Sequence, residues 1–176
     1  MSERWKKQAF SIADMRRLAK RALPRPVFDF ADGAAEDEVT LARNEAAFGD
    51  WSFVPRPLDG PATRDLSVEL FSQRLALPVM IGPTGLSGLF AVDGERAAAR
   101  AAQAAGTAFC LSHASVCTLE QLAETGIAPR WMQIFVYRER DFTGEFVSRA
   151  AAGGYDALVL TIDNQMTGNR ERDLRN

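Results

Sequence analysis

From residue 77 onward, short apolar runs alternate with longer stretches of helical period. The runs are residues 78–82, 107–111, 131–135 and 157–161. Each run is continuously apolar, which is typical of parallel strands that are covered on both faces. Apolar strands separated by amphipathic helices indicate repeated βα units. The pattern therefore predicts four parallel strands of an α/β fold.

The stretches between these runs carry the start and stop signals of helices. An alanine-rich stretch at residues 95–105 ends at Gly106, and glycine often closes a helix. Thr118 and Gln121 have the spacing of a capping box, in which each side chain satisfies a backbone amide at a helix start. Residues 141–152 stop at a pair of glycines. We expect one helix in each gap.

Two architectures contain four parallel strands joined by helices: half of a (β/α)8 TIM barrel, and a small doubly wound sheet. A doubly wound sheet favours a G-x-G-x-x-G loop after its first strand, and residues 82–85 (GPTG) lack that spacing. A TIM barrel takes about 250 residues. A chain of 176 residues cannot close one alone. The strand pattern by itself leaves both architectures open.

Residues 1–76 have a different pattern and are predicted to form a helical lead-in segment. Ser11 is placed to cap a first helix, which Pro24 interrupts. The apolar positions of this helix are Ile12, Met15 and Leu18. A second helix is expected after Asp37, and the alternation at residues 66–71 suggests a short strand. The chain is therefore divided into residues 1–76 and 77–176.

Composition is that of an ordinary folded domain, with 47% hydrophobic and 25% charged residues. The net charge of −2 comes from 21 basic and 23 acidic residues mixed along the chain, which argues against nucleic-acid binding. Cys110 and Cys117 have neither disulfide-framework nor metal-ligand spacing, so we expect a reducing compartment and no metal. The chain has no apolar leader and no run of about 18 apolar residues. These features indicate a cytoplasmic protein.

The motif GPTGLSG at residues 82–88 directly follows the first apolar run. Further segments fall in a matching order and spacing: LP at 23–24, VFDF at 27–30, GAAED at 33–37, LS at 111–112, QIF at 133–135, LTID at 160–163 and GNRERD at 168–173. Together they resemble the FMN-dependent α-hydroxy acid oxidases and dehydrogenases, a family that includes glycolate oxidase, lactate oxidase and mandelate dehydrogenase. The resemblance spans nearly the whole chain.

The resemblance implies a TIM barrel that binds FMN at the carboxyl ends of its strands, where barrel active sites lie. Residues 1–76 would then cover the barrel bottom, and residues 77–176 would form the first four βα units. The implied activity is oxidation of an L-2-hydroxy acid, mandelate-like or lactate-like, to the 2-oxo acid by hydride transfer to FMN. A C-terminal half of the barrel, after Asn176 or on a second chain, would be required.

Six residues match positions that hold FMN in the family. Three belong to the turn whose backbone lies against the flavin ring: Pro83, Thr84 and Gly85. Three match side chains that hydrogen-bond the edge of the isoalloxazine ring: Ser112, Gln133 and Thr161. Contacts of this second kind fix the ring and tune its electron affinity.

Two residues match catalytic positions of the family. Arg170 matches an arginine that holds the substrate carboxylate, which its planar guanidinium can bind bidentately. Asp163 matches a carboxylate that orients the catalytic histidine, which the family takes from the second half of the barrel. His113 is the only histidine in the chain and does not match that base, so we interpret it as a local polar residue.

The chain departs from the family pattern at positions near the substrate. Phe30 and Phe135 stand where the family usually has tyrosines that reach the substrate, and we expect them to line the substrate pocket or the core. Gly85 and Ala114 leave room beside the flavin, as in mandelate dehydrogenase. The hypothesis that follows is a larger, aromatic substrate.

Further partners are implied by the same resemblance. Family members are often oligomers, so we expect a homo-oligomer once the barrel is complete. The segment after Asn176 corresponds to a loop that attaches some members to membranes, which suggests a peripheral position at the inner membrane. An alternative from a different class is a catalytically inactive half-barrel that acts as a binding fragment through its open strand edges.

Overall fold

The computed structural model describes residues 7–58, 60, 63–163 and 166–176. Among these, the helices are α1 (Ile12–Ala22), α2 (Arg25–Asp32), α3 (Val39–Ala46), α4 (Ser87–Phe90), α5 (Gly94–Ala104), α6 (Leu119–Ala123), α7 (Arg140–Ala152) and α8 (Glu171–Leu174), with a 3-10 helix at Ala47–Asp50. The strands are β1 (Val68–Leu70), β2 (Gln73–Leu75), β3 (Phe109–Leu111), β4 (Arg130–Ile134) and β5 (Ala157–Leu160).

The chain forms two compact units. The first unit combines Met1–Gly60 with Met166–Asn176, and the second is Pro61–Gln165. The last eleven described residues therefore return to the N-terminal helices instead of extending the sheet. These units are defined by compactness. The predicted division at residue 76 instead separates the helical lead-in from the first βα unit, and it stays a prediction.

In the first unit, local hydrogen bonds define the start of α1. The Ser11 hydroxyl accepts from the Asp14 amide at 3.2 Å, and the Asp14 carboxylate accepts from the Ser11 amide at 3.0 Å. This capping box confirms the predicted cap. The helix ends at Ala22 with Leu23 as its C-cap, and Pro24 precedes α2 where its missing amide costs nothing.

An arginine of α8 holds this helix to the N-terminal helices. The Arg172 guanidinium lies 2.8 Å from a carboxylate oxygen of Asp32 and 2.7 Å from one of Glu38. Hydrogen bonds from Arg16 and Arg172 lower the pKa of Asp32 to about 2. Acidic side chains of α2 and of the α2–α3 connection thus bind the C-terminal residues to the N-terminal helices.

In the second unit, three strands form a parallel sheet in the order β3-β4-β5. Cys110 lies opposite Trp131 and Met132 lies opposite Leu158. The predicted α/β class with parallel strands is confirmed, and so are the positions of α5, α6 and α7. The capping box at Thr118 and Gln121 is also present, with hydrogen bonds of 3.2 and 3.0 Å.

The first predicted strand, at residues 78–82, is shorter than expected. It contributes a single parallel bridge between Ile81 and Phe109, in which the Cys110 amide donates to the Ile81 carbonyl at 2.9 Å. Pro78 has no amide to donate, and the Thr107 hydroxyl occupies the carbonyl of Val79. The missing amide of Pro78 and the side-chain hydrogen bond at Val79 therefore limit the backbone pairing at this edge of the sheet to Ile81.

A hairpin precedes the parallel sheet. β1 and β2 pair antiparallel around Phe71 and Ser72, whose φ angles are 49° and 60°. Two consecutive residues with positive φ match the right-handed twist of a hairpin. The sequence predicts a strand only at residues 66–71, because neither turn residue is the glycine or asparagine that usually marks such a turn.

The two faces of the parallel sheet are packed differently. The helix-facing core contains buried residues of β3, β4 and α5 to α7: Ala99, Ala102, Phe109, Leu111, Leu119, Leu122, Met132, Ile134 and Ala150. The opposite face packs a smaller cluster, comprising Leu75, Ala108, Cys110 and Trp131. On β5, Leu158 and Leu160 share the helix-facing side with Met132 but stay 44% and 51% exposed. Within the described part of the chain, this strand face is therefore only partly covered.

Candidate functional site

The carboxyl ends of parallel strands meet at one edge of a sheet, and here they surround a cavity. The cavity has a volume of about 450 Å³ and is lined by Pro83, Gly85, Ser112, Ala114, Gln133, Phe135, Thr161 and Asp163. Ser112, Phe135 and Thr161 each directly follow a strand. The structure therefore brings together seven of the residues that the sequence singled out for cofactor, substrate or catalysis.

A hydrogen-bonded network connects the three strand ends behind this cavity. Gln133 is 3% exposed, and its Oε1 accepts from the His113 amide at 2.9 Å and from the Ser112 hydroxyl at 3.3 Å. Its Nε2 donates to the Thr161 hydroxyl at 2.7 Å. The Ser112 hydroxyl also accepts from the Ala114 amide at 3.2 Å. A buried amide with three partners holds one orientation, because each alternative leaves a polar group unpaired.

The turn after the first apolar run lies against the turn that follows β3. A Cβ atom at Gly85 would stand 3.3 Å from the Ala114 Cβ and 3.7 Å from the Ser112 hydroxyl. The Leu86 amide donates to the Ala114 carbonyl at 2.9 Å. Thr84 belongs to the same turn but does not line the cavity. Its carbonyl accepts from the Ser87 hydroxyl at 3.2 Å.

A buried carboxylate that sequence reasoning missed joins these two turns. Glu95, at the start of α5, is 3% exposed, and its Oε1 accepts from the Gly88 amide at 3.3 Å and from the Val116 amide at 2.9 Å. An acidic residue in the first turn of a helix is common, because it interacts favourably with the helix dipole, and it does not point to a distant partner. The pairing with Val116 spans 21 residues, and no local pattern indicates it.

Two predicted residues lie in the first unit. The Arg170 guanidinium donates from Nε to the Asp173 carboxylate at 2.6 Å and from Nη2 to the Phe30 carbonyl at 2.5 Å. It also lies 5.3 Å from the centre of the Phe30 ring, within the range of a cation–π contact. Arg170 and Phe30 are therefore neighbours, as joint roles in substrate binding require, and those roles stay predictions.

His113 is not simply a local polar residue. Its ring stacks on Phe146 with the ring centres 4.1 Å apart, and Tyr137 and Phe142 lie beside it at 5.1 and 6.3 Å. Its Nδ1 accepts from the Phe135 amide at 3.4 Å. Burial lowers the pKa of this imidazole.

Neither cysteine takes part in the cavity. Cys110 and Cys117 are both buried and belong to the two opposite core clusters. Burial raises the pKa of the Cys110 thiol to about 11, which keeps it protonated and unreactive near neutral pH. Among residues 7–58, 60, 63–163 and 166–176, no group of three histidine, cysteine or acidic side chains could bind a metal ion.

A second cavity, of about 580 Å³, lies within the first unit. Its lining residues are Arg16, Lys20, Leu23, Arg25, Phe28, Asp29, Asp32, Arg172 and Arg175. The carboxylates of Asp29 and Asp32 pair with arginines of the same wall. Basic side chains outnumber these two carboxylates, so the wall keeps an excess of positive charge. None of the sequence-predicted site residues lines it, and we assign the functional site to the cavity at the strand ends.

A family model described as FMN-dependent dehydrogenase matches residues 19–176. The chain belongs to the FMN-dependent dehydrogenase family. FMN is thus its cofactor class. The polar groups at the strand ends suit a flavin ring, because Ser112, Gln133 and Thr161 present fixed donors and acceptors to an open cavity. Gly85 adds a stretch of wall without a side chain.

Relatives agree with this membership. A peroxisomal (S)-2-hydroxyacid oxidase of Arabidopsis thaliana is 40% identical over 169 residues, which cover 96% of this chain and 47% of the relative. An L-lactate dehydrogenase of Caulobacter vibrioides is 43% identical over 163 residues, covering 93% and 43%. The chain therefore spans less than half the length of these relatives.

A solved structure of a similar protein shows the same fold. A soluble mutant of the membrane-associated (S)-mandelate dehydrogenase from Pseudomonas putida matches with a TM-score of 0.89 and 40% identity, over 94% of this chain and 47% of that one. Structural neighbours of this kind are TIM-barrel flavoenzymes, and the sheet of the present chain corresponds to part of such a barrel. No described helix of this chain is long and apolar enough to cross a membrane.

Proposed function

We propose that this chain supplies one half of the flavin site of an enzyme that oxidises an L-2-hydroxy acid to the 2-oxo acid. The observation that carries the proposal is the network of Ser112, Gln133 and Thr161, which holds polar groups of three strand ends at one cavity. When bound, FMN supplies the acceptor for the substrate hydride.

Gln133 is the central cofactor-binding residue in this proposal. Each amide nitrogen carries two hydrogens, and Nε2 has one acceptor among the described residues, the Thr161 hydroxyl. The second hydrogen is available to an acceptor atom of the flavin edge. Pro83, Thr84 and Gly85 form the turn that faces the ring, where the absence of a side chain at Gly85 permits close approach.

Arg170 and Asp163 are proposed to act on the substrate side. Among the described residues, Arg170 uses Nε and Nη2, which leaves Nη1 to bind the substrate carboxylate. Asp163 is exposed at the cavity wall, where its carboxylate can accept a hydrogen bond from an imidazole and stabilise the cation formed when that base takes the hydroxyl proton. We propose that this histidine comes from the other half of the barrel.

A mandelate-like substrate is favoured over a smaller one. Phe135 lines the cavity and can contact an aromatic ring but cannot donate a hydrogen bond. Gly85 and Ala114 are adjacent in the cavity wall: a Cβ atom built on Gly85 would lie 3.3 Å from the Ala114 Cβ. Because glycine and alanine are the two smallest residues, no large side chain fills this part of the wall. Phe30, which lies beside Arg170 in the first unit, is proposed as a further substrate-binding residue.

The second half of the barrel is proposed to cover β5, either from the same polypeptide or from a second chain. Leu158 and Leu160 are 44% and 51% exposed, and an uncovered apolar strand face favours association. An oligomer of completed barrels and contact with the inner membrane through the segment after Asn176 stay predictions of the family resemblance. A cytoplasmic location stays a prediction from the cysteine spacing and the apolar pattern of the sequence.

A direct test joins this chain to the C-terminal half of the Pseudomonas putida (S)-mandelate dehydrogenase and measures FMN affinity and turnover. We expect bound flavin and faster oxidation of (S)-mandelate than of glycolate. Gln133→Leu should weaken FMN binding about tenfold, the equivalent of one hydrogen bond of about 1.4 kcal/mol. Gln103→Leu is the matched control, since Gln103 is an exposed glutamine of α5. Equal FMN affinity of the two variants would contradict the role of Gln133.

The exposed leucines of β5 also favour a second candidate function, that of an inactive half-barrel that binds a partner. Intact mass and visible spectrum of the purified material separate the two. Flavin absorbance together with a second polypeptide supports the enzyme. A colourless protein that stays without flavin when joined to the C-terminal half supports the binding fragment.

A further inference from the structure

The imidazole of His113 lies directly behind the wall of the flavin cavity. Its Nδ1 accepts from the Phe135 amide at 3.4 Å, which ties the turn after β3 to the end of β4. The backbone amide of the same residue donates to the Gln133 Oε1 at 2.9 Å. His113 thus contacts the central glutamine through its backbone and the strand that carries this glutamine through its ring.

The ring of His113 is held in one plane by aromatic neighbours. It stacks on Phe146 of α7 with an interplanar angle of 11° and ring centres 4.1 Å apart. Tyr137 stands at 5.1 Å and tilted by 52°. With the ring plane fixed, Nδ1 can meet the Phe135 amide only as an unprotonated acceptor, so the remaining proton lies on Nε2.

The orientation of the Gln133 amide follows from these contacts. Its Oε1 receives two donors, the His113 amide and the Ser112 hydroxyl, so the oxygen points toward the β3 turn. Nε2 then points toward Thr161 on β5. A reversed amide would set Nε2 against the His113 N–H, with two donors facing each other and no acceptor between them.

We infer that His113 is a positioning residue for the cofactor. Its ring accepts the Phe135 amide and so fixes the turn after β3 against the end of β4. The backbone amide of His113 then stays bonded to the Gln133 Oε1, which holds Nε2 on the Thr161 side of the cavity. The part of this inference that concerns FMN rests on the proposed function. The part that concerns Phe135 and Gln133 is a property of this chain alone and is measured without flavin.

Two variants separate the acceptor from the stacked ring. His113→Asn places a carbonyl oxygen near the position of Nδ1 and keeps an acceptor for the Phe135 amide. His113→Phe keeps an aromatic ring against Phe146 but has no acceptor. NMR of the full chain reports three signals: the ¹⁵N shift of His113 Nδ1, hydrogen exchange of the Phe135 amide, and the side-chain amide protons of Gln133.

We expect an unprotonated Nδ1 in the unmodified chain. The Phe135 amide should exchange at least fivefold faster in His113→Phe, with shifted Gln133 amide signals, and His113→Asn should restore both. In the barrel completed with the C-terminal half, His113→Phe should weaken FMN binding roughly three- to tenfold, the range of one net hydrogen bond. His113→Asn should recover most of that loss.

Several results would overturn the inference. A proton on Nδ1 of the unmodified chain would do so without any variant, as would equal Phe135 exchange in both variants. If the NMR signals change as expected but FMN affinity does not, His113 positions Gln133 without serving the cofactor, and the inference fails. If the unmodified completed barrel binds no FMN, the proposed function fails, while the NMR signals still decide the local role of His113.

Discussion

Replacing Glu95 should loosen two turns of the cavity at once. Its Oε1 accepts from the amides of Gly88 and Val116, at 3.3 and 2.9 Å, and the side chain is 3% exposed. Gly88 is the last residue of the 82–88 motif and lies in α4, whereas Val116 belongs to the turn that follows Ser112. In Glu95→Ala both amides lose their acceptor, and no other side chain of the described residues is bonded to them.

The expected loss follows from the two bonds. A hydrogen bond to a charged group contributes about 1.5–3 kcal/mol to stability. The bond to Gly88 is long, and water can reach the half-exposed turn at Val116. We therefore expect Glu95→Ala to lower the free energy of unfolding by about 2–4 kcal/mol. Glu95→Gln keeps Oε1 as an acceptor for both amides and should lose only about 1 kcal/mol.

Urea unfolding followed by circular dichroism measures both variants, and hydrogen exchange of the Val116 amide reports the local effect. Exchange should accelerate strongly in Glu95→Ala and little in Glu95→Gln. The reasoning is refuted if Glu95→Ala loses under 1 kcal/mol, or if Glu95→Gln is as destabilised as the alanine variant; the second result would assign the effect to charge instead of to acceptor geometry.

Three further predictions concern the core, the cavity wall and pH. Leu122→Ala removes a fully buried side chain and should cost about 2–5 kcal/mol in urea unfolding, whereas Leu174→Ala, at a 78% exposed position, should cost under about 0.5 kcal/mol. Gly85→Ala should cost under about 1 kcal/mol because its Cβ meets the Ala114 Cβ at 3.3 Å, and Ala114→Gly in a double-mutant cycle should recover the loss. Burial lowers the pKa of His113 below 6.5, so the unfolded chain binds the proton more readily. This contribution to stability should be complete above pH 6.5 and decline as pH falls through the lower folded pKa, and a difference curve against His113→Phe that is flat in this window would contradict it.

The local signals of the sequence located most elements of the second unit. Continuous apolar runs predict strands because a buried parallel strand has no polar face, and three of the four runs are strands. Capping boxes predict helix starts because the bonded partners are three residues apart, as at Ser11 and Thr118. The strand at residues 78–82 is shorter than predicted because the Thr107 hydroxyl binds the Val79 carbonyl. This donor is distant in sequence, so the local pattern could not indicate it.

Interactions between distant residues could not be predicted in this way. The return of residues 166–176 to the N-terminal helices depends on Arg172 meeting Asp32 and Glu38, which lie more than 130 residues away in sequence. In the sequence, Arg172 is one of several neighbouring arginines. Glu95 was missed for the same reason. The site residues at the strand ends were found through family motifs, and strand pattern alone had left two architectures open.

Gln133 is a polar residue at a buried position of β4, and this combination marks the site. β4 alternates between the two faces of the sheet, so Met132 and Ile134 enter the helix-facing core while Trp131 and Gln133 face the other side. A buried amide costs stability unless its groups are paired, and an apolar residue would pack this position at lower cost. Its partners come from the ends of β3 and β5, so the amide is satisfied only where three strands end together. A buried glutamine at such a position, whose Nε2 has one acceptor among the described residues, is better explained by a ligand than by folding.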